Sequence, residues 1–228
     1  MIFVANYKMN GDKKFYQKVN RIFNKLESED TVILCPPFVY MSSLKLKNEN
    51  VFLGSQDIAG YINKKSTGQI SPIMLEEFNV KYSIVGHSEM REIGETDYMI
   101  SRKVHMAHEF GIVPIVCVGE MNKDDALDIL QQQVSIALSK AQQKEVVFAY
   151  EPVWAIGTGE QPTIKQINNA VKLIKQTAKE CGYNVKVLYG GSVNLSSYEG
   201  LKKSNVDGFL MGGVSLKLDE FIQIVKGE

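Results

Sequence analysis

Glu151 stands at the end of an apolar run, in the segment AYEPVWAIGTG at residues 149–159. A carboxylate at a strand end is most often simply solvated. It can also act as a general base, taking a proton from carbon beside a carbonyl. The residues after Glu151 favour the second use. Pro152, Val153, Trp154, Ala155, Ile156, Gly157, Thr158 and Gly159 place apolar bulk first and two glycines last. Proline and glycine at opposite ends suit the hinges of a lid, with Trp154, the one tryptophan of the chain, and Ile156 as anchors and cover.

His87 lies between Gly86 and Ser88 at the end of another apolar run. A lone histidine is more often a satisfied core or surface residue. Here a helix can begin, and a helix N-terminus disfavours a cation, so the imidazole is expected to stay neutral. A neutral ring still donates a hydrogen bond to a carbonyl as negative charge develops on it. Gly190-Gly191-Ser192 and Gly212-Gly213 each follow a strand-like run. Glycine lets backbone N–H groups approach an anion, and a helix N-terminus adds a favourable dipole. One such pair is ordinary turn chemistry; two at adjacent strand ends favour a phosphate. The chain contains no GxxxxGK[ST] P-loop. Lys8, with Asn6 beside it, is either solvated or offsets an anionic, charge-developing substrate, and both readings stand. His105 and His108 have no partner motif and are expected at the surface. No cluster has metal-ligand spacing, so no metal is expected.

These residues need elements to hold them. Short apolar, β-rich runs recur at 3–6, 31–35, 51–55, 83–85, 114–117, 146–150, 187–189 and 207–211. Between most of them lie helical patterns. Phe15, Val19, Ile22, Phe23 and Leu26 share one face; so do Leu127, Leu130, Val134 and Leu138, and Ile167, Val171 and Ile174. Pro162-Thr163, and Ser196 before Tyr198, read as helix entries. Alternating strands and helices predict a parallel sheet with both faces buried. Eight such units in one domain over 1–228 predict a (β/α)8 barrel rather than a doubly wound open sheet. Catalytic groups then belong at the C-terminal strand ends, which is where Asn6, Lys8, His87, Glu151 and both glycine pairs fall.

Composition sets the outer bounds. The chain has 228 residues, 44% of them apolar, and 26 basic against 26 acidic side chains. Zero net charge gives no bulk field for nucleic acid or an anionic membrane surface. No apolar run reaches the ~18–20 residues that span a bilayer. The opening MIFVANYKMNGDKK reads as a first strand, not as a signal peptide. Cys35, Cys117 and Cys181 are odd in number and widely spaced, and read as reduced core or near-core thiols of a cytoplasmic protein.

The segments 5–10 (ANYKMN), 85–89 (VGHSE), 117–120 (CVGE), 149–159 (AYEPVWAIGTG) and 189–193 (YGGSV), with Gly212-Gly213, together resemble the triosephosphate isomerase family. They run in that family's order across nearly the whole chain, and AYEPVWAIGTG is the most specific of them. The resemblance implies a TIM barrel that interconverts dihydroxyacetone phosphate and D-glyceraldehyde 3-phosphate in glycolysis and gluconeogenesis, with no cofactor. It implies Glu151 as the base, His87 as the neutral electrophile, Lys8 as a cation near the substrate and Asn6 as a polar contact. Gly157, Ser192, Gly212 and Gly213 would offer backbone N–H groups to the phosphate. It also implies a cytoplasmic homodimer.

Three places depart from the family's pattern. Tyr7 stands where tryptophan is common. After 117–120 the chain runs into Met121-Asn122-Lys123-Asp124, without the longer charged segment usual there. In the third βα loop, Lys64-Lys65-Ser66-Thr67-Gly68-Gln69 replaces a small apolar tip. Gln69 and Met90 occupy two positions that in the family form an ion pair between subunits. Losing both together is coherent, since one alone would be an unpaired charge at a buried interface. The expectation is a homodimer with different contacts at Gln69 and Met90, and with Thr67 still facing the partner. Two rivals remain on this reading: another phosphosugar-isomerising barrel, and a non-catalytic binding module on the same scaffold.

Overall fold

A computed structural model describes residues 1–62, 65–123, 126–142, 145–156, 158 and 160–227. Its strands are β1 (Ile2–Asn6), β2 (Thr31–Cys35), β3 (Val51–Ser55), β4 (Tyr82–Val85), β5 (Val113–Val118), β6 (Val147–Tyr150), β7 (Lys186–Tyr189) and β8 (Gly208–Met211). Each pairs in parallel with the next, and β8 closes on β1 with Ile2 opposite Gly208. The sheet is a closed barrel, and each sequence-read run matches its strand to within one residue at either end.

Around it lie α1 (Lys13–Phe23), α2 (Pro72–Glu77), α3 (Ser88–Glu92), α4 (Asp97–Glu109), α5 (Ala126–Leu138), α6 (Ile164–Glu180), α7 (Leu195–Leu201) and α8 (Leu218–Lys226). The alternation is not strict. β2 is followed by a 3-10 turn at Phe38–Ser43, and β4 by two helices, α3 and α4.

Side chains alternate across each strand, so a closed barrel sorts them into two cores. Phe3, Leu34, Val116, Phe148 and Phe209 point outward and pack with Val19 and Phe23 of α1, Val134 of α5 and Ile174 of α6. Ile2, Val4, Ile33, Ile84, Ile115, Val147, Leu188 and Leu210 fill the lumen. The helical faces read from spacing are the buried ones, and Leu26 is buried just past the end of α1. The Leu127 side chain lies outside those described.

Capping follows side-chain chemistry. The Thr163 hydroxyl accepts from the Gln166 N–H, and the Gln166 side chain returns a bond to the Thr163 N–H, closing a capping box on α6. The entry expected at Ser196 is made by Asn194 instead. Asn194 is extended (φ −146°, ψ 174°), as a cap must be, whereas Ser196 is already helical. The Asn194 Oδ1 accepts from the Ser197 N–H at 3.0 Å and from the Ser196 hydroxyl at 2.6 Å.

Two expectations about burial are corrected. His108 faces inward from α4 and is buried. Its Nδ1 accepts from the Gln142 N–H, so the ring proton sits on Nε2, 3.1 Å from the Glu145 carbonyl oxygen. Burial holds its pKa below the usual histidine value. Cys181 is exposed at the end of α6, while Cys35 and Cys117 are buried and their thiols are pushed up by desolvation. Among the described residues, no helix is long and apolar enough to cross a membrane.

Thr163→Ala removes the acceptor that starts α6. We expect a loss of about 1 kcal/mol in urea unfolding. An unchanged midpoint would show that the capping box contributes nothing.

Candidate active site

The lumen faces continue past the strand ends. Ile2 and Val4 lead to Asn6, Val147 and Ala149 to Glu151, Leu188 to Gly190, and Leu210 to Gly212. The two-residue period therefore delivers these positions to one mouth. Asn6, Lys8, His87, Glu151, Ser192, Gly212 and Gly213 line a single cavity there of about 440 Å³. A larger cleft of about 760 Å³ lies against α4 beside Tyr61 and Lys140, and holds none of these groups.

Glu151 is buried, with 2% of its surface exposed. Its Oε2 accepts from the Ser88 N–H at 2.9 Å. Its Oε1 lies 3.2 Å from His87 Nε2 and makes no hydrogen bond among the described residues. His87 is the N-cap of α3, and its Nδ1 accepts from the Glu89 N–H at 3.2 Å. That bond places the proton of a neutral ring on Nε2, the nitrogen nearer Glu151. The Cys117 thiol is pushed up chiefly by burial and then by the charge of Glu151.

Glycine makes the room. A Cβ built on Gly190 would stand 2.8 Å from Glu151 Cγ, and one on Gly212 would stand 3.1 Å from Lys8 Cε. These glycines leave room for the Glu151 and Lys8 side chains, a use the phosphate reading did not include. At Gly213 a Cβ would meet nothing within 4 Å, so its backbone is open to the cavity.

Lys8 has a left-handed backbone, φ +50°, unusual for a residue with a side chain. Its N–H donates to Asn6 Oδ1 at 3.0 Å, and its carbonyl accepts from Gln56 Nε2 at 2.8 Å. Gln56 also donates to the Cys35 carbonyl at 3.0 Å, so both hydrogens of its amide face carbonyl oxygens. The Lys8 ammonium reaches Glu89 Oε1 at 2.7 Å. Asn6 thus holds the turn as well as lining the cavity.

The segment after Glu151 divides its labour. Val153 and Ile156 line the cavity, but Trp154 does not. Trp154 turns away, and its indole N–H donates to Glu120 Oε1 at 2.8 Å, which also accepts from the Tyr150 hydroxyl at 2.8 Å. Lys123 lies 4.3 Å from the Trp154 ring centroid and pairs with Glu160. The short connection after β5 brings Lys123 there. Gly157 and Gly159 lie outside the described residues.

Thr67 and Gln69 are exposed on the connection after β3. Gln69 and Met90 line one groove of about 370 Å³ together with Ile93. Sequence reasoning missed Gln56, Glu120 and Arg91, whose side chains act on distant backbone or side-chain groups. Gln56, directly after β3, and Glu120, in the 117–120 segment just after β5, carried a positional hint; Arg91 carried none.

Barrel and mouth together define the class: a (β/α)8 enzyme in which a carboxylate, an imidazole and a lysine converge on one small cavity. The chain belongs to the triosephosphate isomerase family, whose model matches residues 1–228. The triosephosphate isomerase of Clostridium tetani (strain Massachusetts / E88) is 36% identical over 244 residues, covering 98% of this chain and 95% of the relative.

Gly190→Ala is expected to displace the Glu151 side chain. We expect kcat to fall about 10²-fold, as a misplacement near 1 Å does, with the barrel still folded by circular dichroism. A wild-type kcat would show that Glu151 tolerates the added methyl.

Proposed function

We propose that this isomerase interconverts dihydroxyacetone phosphate and D-glyceraldehyde 3-phosphate by moving one proton between neighbouring carbons through an enediolate. Glu151 is the base and neutral His87 the electrophile. The observation that carries this reading is Glu151 Oε1: buried, free of hydrogen bonds among the described residues, and beside an imidazole N–H at the mouth of a small cavity. Ser88 holds the other oxygen, so the free one can reach a substrate carbon. The base contributes ~10²–10⁴-fold, and a donor aimed at the developing oxyanion ~10²–10³-fold.

Lys8 adds positive charge where the enediolate forms. Its pair with Glu89 is solvent-exposed and is worth roughly 0–1 kcal/mol, so an anionic substrate exchanges for it easily. Ser192, Gly212 and Gly213 line the cavity and would hold a phosphate there, and the family pattern assigns Gly157, which lies outside the described residues, to the same group. An enediolate exposed to water can expel its phosphate. Residues 152–159 act as the lid, with Val153 and Ile156 as its apolar underside and Trp154 held by Glu120 as its anchor.

We further read the protein as a cytoplasmic homodimer. Met9, Val39 and Ile93 are 96%, 79% and 77% exposed, on the connections after β1, β2 and β4. These three leave exposed apolar side chains on the same end of the barrel as the exposed Thr67 and Gln69, which supports a partner covering that rim.

Glu151→Asp retracts the carboxylate from the substrate carbon. In a coupled assay with glyceraldehyde 3-phosphate, kcat should fall by about 10²-fold or more, with competitive inhibition by inorganic phosphate little changed. A near-normal kcat would defeat the base assignment. Sedimentation at assay concentration should give twice the chain mass, and an active monomer would refute the homodimer.

A further inference from the structure

Arg91, in the last turn of α3, is not at the mouth, yet its side chain ties the end of β4, which leads to His87, to β5, the neighbour of the strand that leads to Glu151. Its Nε donates to the Gly86 carbonyl at 2.9 Å, and its Nη2 to the Cys117 carbonyl at 3.1 Å. Its Nη1 donates to Asp97 Oδ1 at 2.6 Å, which orients the guanidinium from the start of α4. The group is mostly buried, with 21% of the side chain exposed.

Both carbonyls sit next to catalytic positions. Gly86 directly precedes His87 and turns the chain at φ +70°. A Cβ there would stand 2.6 Å from Ile100 Cδ1, so the corner is tight as well as left-handed. Cys117 lies opposite Ala149 in the β5–β6 register, two residues before Glu151. Two residues after Cys117, a Cβ on Gly119 would fall 1.7 Å from the Glu151 carbonyl oxygen, so the β5 exit and the Glu151 backbone are in direct contact. One planar, rigid fork therefore spans the corner under His87 and the strand beside Glu151.

We propose that Arg91 is a positioning residue for the isomerisation: it fixes the separation between His87 and Glu151 by clamping the Gly86 and Cys117 carbonyls. This rests on the reading of His87 as electrophile and Glu151 as base. Lysine keeps the charge but offers a single point donor, so it cannot span two carbonyls and Asp97 at once. The plain alternative is a pin that stabilises the barrel and leaves the chemistry alone.

The two separate in kinetics. For Arg91→Ala and Arg91→Lys we expect kcat, per folded enzyme, to fall about 10²-fold, with KM within about threefold of wild type, since the phosphate end is untouched. The same substitutions in a His87→Gln background should cost much less, because there is no imidazole left to misplace. A kcat within about twofold of wild type overturns the proposal, as does an equal loss in both backgrounds. If Arg91→Ala fails to fold, Asp97→Asn loosens the guanidinium without removing it. A kcat loss in both Asp97→Asn and Arg91→Lys then supports the proposal, and wild-type kcat in both overturns it. His87→Gln alone tests the underlying reading: a wild-type kcat there defeats the electrophile assignment, whereas a crippled His87→Gln beside an unaffected Arg91→Lys defeats only the role of Arg91.

Discussion

Side chains alternate along a strand with a period of two, and in a closed barrel that period decides which strand positions reach the mouth. Val147 and Ala149 fill the lumen, so Glu151 must arrive at its rim. The same count carries Asn6, Gly190 and Gly212 there from three other strands. Glu151 needs no loop to place it, because it is the next inward residue of a strand already held by β5 and β7. A shift of one residue in β6 would turn it outward and put Tyr150 into the lumen.

A carboxylate buried this deeply is costly unless it is hydrogen-bonded. The Ser88 amide satisfies one oxygen, and His87 stands beside the other. That arrangement requires space, and the neighbouring strands supply it by ending in glycine. Gly190 clears Glu151 and Gly212 clears Lys8. Strain is placed at the same rim: Lys8 keeps a left-handed backbone because Asn6 and Gln56 bind its N–H and its carbonyl. On the proposed mechanism, groups held in place by such bonds need reorganise little when charge develops.

Much of this was legible in the chain. The strand runs, the helical faces, the capping threonine of α6 and the strand-end residues all come from local patterns. His108 was misjudged because spacing along α4 does not reveal that residues 142 and 145 fold back over that face. Ser196 was misjudged because two candidate caps lie two residues apart and only backbone angles choose between them. The partner of Trp154 was not legible, since Glu120 comes from a different strand end.

By itself the sequence determined the order of elements, the identity of the inward positions and the chemical types gathered at one end of the barrel. Those come from periodicity and from what each side chain can do, which are properties of neighbours in the chain. The tertiary structure decided which groups touch: Ser88 with Glu151, Gln56 with Lys8, Glu120 with Trp154, Arg91 with the Cys117 carbonyl. Each of these contacts joins residues far apart in sequence. Their distances exist only once β8 has closed on β1, because closure is what fixes the spacing between one strand end and the next.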